Sequence, residues 1–235
     1  MMIKKALSKL VIALCLTAIL LCCNNQDDDM ETEAPRYQTF VEYSFWAEEE
    51  KGFVTGLFQF RMNGDENTPS RLAPSAKVEL DGEIVGGDSA GISGSFYEIH
   101  KPLDEFAGEH TIVFTTEDKR KVSEQFTFSP FTLVTANDTL MTRNEMLLQF
   151  EGLKDGETVR IVMTDTSFRS NGINSVETIE NNAVDMRPLL ADNIKNGPVI
   201  LQVFKEDERM IRGNSSVGGR ISITYSLKKE FELVD

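Results

Sequence analysis

The sequence predicts an all-β protein, and the main reason is its hydrophobic periodicity. Near the C-terminus apolar side chains occupy every second position, interrupted only by Lys229; they are Ile221, Ile223, Tyr225, Leu227, Phe231 and Leu233. A period of two is typical of a strand with one buried face. Turn-forming residues are frequent between segments of this kind, and no window shows helical periodicity over three turns.

The alternating pattern recurs along the whole chain. Further strands are predicted at residues 40–46, 54–62, 77–85, 93–100, 110–116, 122–128, 146–150, 158–164 and 198–204. The dipeptides Asp81-Gly82 and Asp155-Gly156 lie between such segments and are typical of hairpin turns. One short helix is expected over residues 188–196, because Gly197-Pro198 would end it.

Short strands with frequent turns predict β-sandwiches. The clearest break is Ser129-Pro130, which divides the folded body into residues 36–129 and 130–235. Each part is close to the roughly 100 residues of an immunoglobulin-like sandwich. We therefore expect two tandem immunoglobulin-like β-sandwich domains.

The N-terminus is typical of an export signal. Lys4, Lys5 and Lys9 precede an apolar run over residues 10–21. A helix that spans a bilayer needs about 20 apolar residues, so this run is too short. It fits the hydrophobic region of a signal peptide, which we assign to residues 1–22.

The end of that run resembles the lipobox of bacterial lipoproteins, in which an aliphatic residue lies three positions before a cysteine and a small residue lies just before it. For Cys23 these positions are Leu20 and Cys22; for Cys22 they are Ile19 and Leu21. Because Cys22 is smaller than Leu21, the resemblance favours Cys23 as the residue that carries palmitate or another acyl chain, with Cys22 as the alternative. It implies that a lipid anchors the protein to a membrane.

An acidic run, Asp27, Asp28 and Asp29, follows the proposed lipid site. It resembles the sorting signal of Bacteroidota lipoproteins that reach the outer face of the outer membrane. Acidic polar segments also remain unfolded, so residues 23–35 are expected to form a tether, and both interpretations can hold. The tandem sandwiches are similar to the modules of such surface lipoproteins. The resemblance implies an outer-membrane protein that faces the exterior, with a periplasm-facing protein as the alternative.

Composition argues against several classes of function. The chain has 24 basic and 38 acidic residues, and removal of the leader leaves 21 against 38, a formal charge of −17. The longest basic cluster is Lys119-Arg120-Lys121, at an expected hairpin turn, so nucleic acid is not an expected partner. No cysteine follows Cys23, so the domains are predicted to contain no disulfide and no thiol nucleophile.

Candidate chemical sites are few. His100 and His110 are the only histidines, and their spacing without a nearby cysteine is no zinc signature, so neither a metal nor a cofactor is expected. Residues 63–67 are interpreted as a polar hairpin loop rather than a calcium site, and residues 86–91 as a mobile glycine-rich loop rather than a phosphate cradle.

One aromatic group leaves two interpretations open. Trp46, with Phe45 and Tyr43, could form a sugar-stacking platform, or an aromatic cluster in the core or between the domains. The core or interdomain cluster is favoured, because aromatic side chains dominate small cores.

These observations predict a non-enzymatic, outer-membrane-anchored lipoprotein that acts as a surface binding or adhesion module. Such a module would bind an unknown surface ligand through loops at one sandwich end or through a sheet edge. The alternative is a structural accessory subunit of an uptake or secretion complex, with an outer-membrane protein as its partner and an apolar patch on one sheet face. A glycan or peptide hydrolase is the third hypothesis.

Overall fold

The computed structural model of the protein describes residues 38–90, 94–135, 139–213 and 216–235. The predicted signal peptide and tether lie outside the described residues, and so do the predicted lipidation and sorting residues Cys22, Cys23, Asp27, Asp28 and Asp29. Within the described ranges, no helix has the length and apolar character that crossing a bilayer requires.

The described chain consists mainly of strands. They are β1 (Thr39–Glu48), β2 (Phe53–Met62), β3 (Lys77–Leu80), β4 (Glu83–Ile84), β5 (Gly87–Ala90), β6 (Gly94–Pro102), β7 (Gly108–Thr115), β8 (Lys121–Phe128), β9 (Thr132–Leu133), β10 (Leu140–Thr142), β11 (Leu147–Glu151), β12 (Thr158–Asp165), β13 (Ile173–Thr178), β14 (Ala183–Asp185), β15 (Gly197–Ile211) and β16 (Val217–Val234). Two short α-helices, α1 (Leu103–Phe106) and α2 (Arg187–Asn193), and two 3-10 turns, Glu49–Lys51 and Arg143–Glu145, connect them.

The strands form three sheets. The largest has the order β13-β12-β15-β16-β1-β2-β6-β5, with β10 paired to the end of β16. A sheet with the order β4-β3-β7-β8 packs on its β1 side, and a smaller one, β14-β11-β9, on its β12–β15 side. The predicted all-β fold class is confirmed, and the strands form open sheets that pack as sandwiches.

Alternation along the strands builds the first core. Tyr43 and Phe45 of β1 point inward and are buried. Phe45 stacks on Phe126 of β8, with 4.4 Å between ring centroids, and Phe60 of β2 lies 4.9 Å from Phe114 of β7. These aromatic pairs join the two sheets of the first sandwich.

Alternation along the strands also builds the second core. Ile161, Leu201 and Leu227 are buried on the inner face of the large sheet, together with Leu148 of the small sheet. They belong to one cluster of buried apolar side chains that continues through both sandwiches. Phe131 lies where the sandwiches meet, with its ring centroid 5.1 Å from that of Tyr225.

A long hairpin, β15–β16, belongs to both sandwiches. Its pairs run from Gly197↔Leu233 to Ile211↔Gly219, and the first half of β16 also pairs in parallel with β1, from Thr39↔Val217 to Glu48↔Ser226. The two sandwiches therefore share one sheet, although Ser129-Pro130 lies between β8 and β9 outside any strand. The boundary at residues 129/130 stays a prediction.

The hairpin gives the body two ends. At about 3.3 Å per residue, the 18 residues of β16 span about 60 Å. Thr39, beside Val217, marks the proximal end, at which the predicted tether joins. Asp165, paired with Val199, marks the distal end.

Several local predictions are confirmed. The six apolar residues of the C-terminal pattern are buried, whereas Lys229 is only half-buried. Helix α2 begins one residue before the predicted helix over residues 188–196 and ends three residues before its predicted end. Asp81-Gly82 joins the hairpin β3–β4, with φ angles of 52° and 86°. Lys119 and Arg120 lie in the turn of the hairpin β7–β8, and Lys121 begins β8.

Three loop predictions are wrong. Asp155-Gly156 is no hairpin turn, because β11 pairs with β9 and β14 whereas β12 pairs with β13 and β15. Residues 63–67 do not close a hairpin either, since β2 and β3 belong to different sheets. Residues 87–90 of the predicted mobile loop form the edge strand β5. Turn-forming residues signal a change of direction, but not which strands will pair across it.

Candidate functional site

The first candidate is the contact between His110 and Asp81. Atom Nδ1 of the buried His110 lies 2.7 Å from Oδ2 of Asp81, and Nε2 lies 2.7 Å from the carbonyl oxygen of Phe106. Both ring nitrogens are therefore occupied. This contact ties the β3–β4 turn to β7 and leaves no nitrogen free for a substrate or a metal.

The second histidine lies in a hydroxyl–imidazole–carboxylate chain. Atom Nδ1 of His100 is 3.2 Å from Oγ1 of Thr55, and Nε2 is 3.3 Å from Oε1 of Glu98. This order is that of a nucleophile triad. Thr55, however, is buried in a strand that is paired on both sides, so the neighbouring N–H groups serve the sheet and form no oxyanion site.

The described residues contain no group of three or more His, Cys, Asp or Glu side chains placed to hold a metal ion. Within the described ranges, neither His100 nor His110 therefore belongs to a group of potential metal ligands.

The aromatic residues of β1 divide between the two faces of the sheet. Tyr43 and Phe45 are in the core, as favoured, but Trp46 is 39% exposed on the opposite face. The core interpretation is therefore wrong for Trp46, and the three rings cannot form one platform. Successive side chains of a strand point to opposite faces. On the outer face Trp46 has Phe53 as its diagonal neighbour on β2.

The distal end carries a different candidate, the loop between β12 and β13. We call residues 165–172 the tip loop. Its residue Phe168 is 88% exposed, more than any other large apolar residue in the described ranges. Its φ angle of 57° lies in the left-handed region, which costs a residue with a Cβ roughly 1–2 kcal/mol.

A buried carboxylate holds the tip loop in shape. Asp165 accepts hydrogen bonds from the backbone N–H groups of Ser167 at 2.7 Å and Arg169 at 3.0 Å, and from the hydroxyl of Ser170 at 2.6 Å. The hydroxyl of Ser167 donates to it as well. The hydroxyls of Ser167 and Ser170 hold the pKa of Asp165 well below its usual range, so the carboxylate is ionised at neutral pH.

Contacts outside the loop fix its position. The N–H of Thr166 donates to the carbonyl oxygen of Pro198 at 3.0 Å, and Nη2 of Arg169 donates to that of Asn196 at 2.6 Å. Gly197 makes room for this guanidinium, because a Cβ there would lie 2.6 Å from Nη2. Its φ of 140° also disfavours other residues.

The result is an aromatic side chain that a rigid loop presents to solvent. The exposed Arg169 follows Phe168 in the chain, and the backbone N–H of the exposed Lys195 donates to the hydroxyl of Ser170 in the same loop, so the tip carries two basic residues in an acidic chain. Backbone strain that is held by many contacts is found at functional sites, and aromatic residues are frequent binding hot spots. The geometry suits insertion into an apolar pocket with an acidic rim.

Sequence reasoning missed this site. A single phenylalanine among Ser, Arg and Asn residues has no periodicity to mark it. The available signal was the spacing of Asp165, Ser167 and Ser170 directly after a predicted strand, which is typical of side chains that bond to nearby backbone.

No family model and no curated protein matches this chain. Among solved structures, it is similar to the IG1 and IG2 domains of DIP-gamma, with 9% identity and a TM-score of 0.23 over 80% of this chain and 94% of that one. It is also similar to a structure concerned with host cell surface retention of a 1.5-MDa bacterial ice-binding adhesin, with 12% identity and a TM-score of 0.21 over 80% of this chain and 64% of that one. Likeness at these TM-scores identifies neither a family nor a function.

Proposed function

We propose that this protein is a non-enzymatic binding module, held by lipid at the outer face of the outer membrane, and that its tip loop is the binding surface. The observation that carries the proposal is the position of Phe168. It is exposed on a fixed loop at the distal end, whereas the predicted tether precedes β1, which begins at the proximal end. A ligand outside the cell would meet this loop first.

Energetics support a binding role for Phe168. In the free protein it gains little from burial, yet its backbone conformation is unfavourable. Burying a phenylalanine side chain in a partner is worth roughly 1.5–3 kcal/mol. Because Asp165 already holds the loop in shape, little ordering cost would oppose that gain.

The test of the tip is photo-crosslinking in intact cells. The photoreactive amino acid p-benzoylphenylalanine replaces Phe168 in the full-length protein, and a matched variant carries it at Val176, which is 66% exposed on the neighbouring β13. We expect a discrete, light-dependent adduct from position 168 alone. The binding role of the tip is refuted if position 168 gives no adduct or the same adducts as position 176.

The anchoring part of the proposal rests on the leader and has its own test. Metabolic labelling with a fatty acid should mark the wild type and not Cys23→Ala. Full labelling of that variant would indicate that Cys22 carries the lipid instead. External protease should remove the folded body from intact cells. Alanine at Asp27, Asp28 and Asp29 should leave the protein lipidated but protected in the periplasm, whereas protection of the wild type would exclude surface exposure.

The accessory-subunit hypothesis is the second candidate, and one observation favours it. Trp46 and Phe53, at 39% and 40% exposed, are diagonal neighbours on the outer face of the large sheet. Apolar side chains grouped on a sheet face can mark an interface. The same photo-crosslinker at Trp46 should then give an adduct with an integral outer-membrane protein, and none would argue against this role.

A further inference from the structure

A groove lies where the two sandwiches meet, and we call it the junction groove. It has a volume of about 600 Å³, and its apolar lining includes Leu103 of α1, Pro130 and Phe131. Tyr225 of β16 is also part of its lining. Burial, and to a smaller extent the negative charge of Glu49, raises the pKa of Tyr225 to about 12. The phenol is therefore neutral over the physiological pH range.

The rim of the junction groove is acidic. Glu49, Asp104 and Glu151 contribute carboxylates, and no basic residue belongs to its described lining. Glu49 forms an ion pair with Lys229, with 3.1 Å between Nζ and Oε2. Asp104 and Glu151 are exposed and form no ion pair among the described residues. The groove therefore favours an apolar group that carries positive charge beside it.

The tip loop has this chemistry. Phe168 is the apolar group, and the exposed Arg169 and Lys195 supply positive charge at the same tip. The tip and the groove lie on different parts of the same molecule, so one copy offers what another can accept. The groove is larger than one phenylalanine side chain requires, which leaves room for neighbouring loop atoms.

We propose that Phe168 of one copy inserts into the junction groove of a second copy, so that the protein binds to itself. The proposal rests on the proposed binding role of the tip loop and names its partner. The contact joins two different surfaces, so it is heterologous. A single aromatic knob makes a small interface, and small interfaces are weak in solution. Anchoring to a membrane raises the effective concentration and compensates for this weakness.

Cysteine cross-linking tests the contact directly, because the chain has no cysteine after Cys23. One full-length variant carries Asn171→Cys in the tip loop, which keeps Phe168, and another carries Thr132→Cys at the groove. The two are mixed in detergent and treated with a short bis-maleimide. We expect a cross-linked product between the two variants that neither gives with wild-type protein.

Two pairs of matched variants identify the forces. Phe168→Ala, added to Asn171→Cys, should lower the yield about tenfold or more, as expected from the loss of one buried phenylalanine. Val176→Ala, which removes another exposed apolar side chain of the same hairpin, should leave it unchanged. Glu151→Lys should lower the yield, and Glu180→Lys, the same charge change at an exposed site outside the groove, should not.

The outcomes separate this inference from the proposed function. An unchanged yield with Phe168→Ala, or equal losses with Glu151→Lys and Glu180→Lys, overturns self-association through the groove. If no product forms while position 168 gives an intact-cell photo-adduct with another molecule, the inference fails and the binding role of the tip stands. If the cysteine variants give no product and position 168 gives no photo-adduct, both fail.

Discussion

Phe168→Asn should make the protein more stable while removing its binding group. The φ of 57° at this position costs a phenylalanine roughly 1–2 kcal/mol, and asparagine tolerates the left-handed region better. Because the side chain is 88% exposed, its removal forfeits little burial in the free protein. We expect the free energy of unfolding to rise by about 1 kcal/mol, which corresponds to about 2–4 °C in melting temperature for a body of this size.

Urea denaturation followed by far-ultraviolet circular dichroism measures this change, with Val176→Asn as the control. Val176 is also exposed but lies in β13, where asparagine is a poor strand former, so the control should be neutral or destabilised. The photo-crosslinking partner of position 168 should bind the Phe168→Asn variant much more weakly. A loss of stability in Phe168→Asn would refute the reasoning, since it would show that the phenyl ring packs within its own chain.

Three further predictions concern the tip loop and the shared sheet. Asp165→Asn should lower the urea midpoint of unfolding at pH 7. The difference from the wild type should shrink as the pH falls from 5 towards 2, because the folded-state pKa of Asp165 is depressed and its stabilisation is lost on acidification; a constant difference would contradict this. Gly197→Ala should lower the free energy of unfolding by about 1 kcal/mol or more, as measured in urea, whereas an unchanged midpoint would show that Arg169 moves freely. A chain that ends at Ser129 should show no cooperative unfolding, because β1 would lack its partner β16; a cooperative transition would show that the first sandwich folds alone.

The sequence predicted those features that depend on local order along the chain. The alternation in β16 identified its buried face because the period of two is visible in a single segment. The same rule separates Phe45 from Trp46, since adjacent strand residues point to opposite faces. Grouping the two as one aromatic cluster overlooked that consequence.

Long-range pairing was not visible. Glu42 of β1 accepts a hydrogen bond from Nε of Arg220 in β16 at 2.7 Å, although 178 residues separate them, and it also pairs with Arg61 of β2. Charged residues are common throughout the chain, so nothing local marks these as partners. The exposure of Phe168 was equally hidden, because it depends on how Asp165 folds the loop around itself.

The shared sheet holds the tip loop in a fixed position relative to the first sandwich, which two separate sandwiches could not do. Two domains joined only at Ser129-Pro130 would swing about that linker, and a binding group on the second would sample many positions. Here β16 continues from β1 at the proximal end to the distal end as one paired strand, and one apolar core follows it. Bending at the junction would break sheet hydrogen bonds and open that core. The body is therefore expected to hold Phe168 at a fixed distance from the proximal end, so that the tip meets its partner without swinging about the junction.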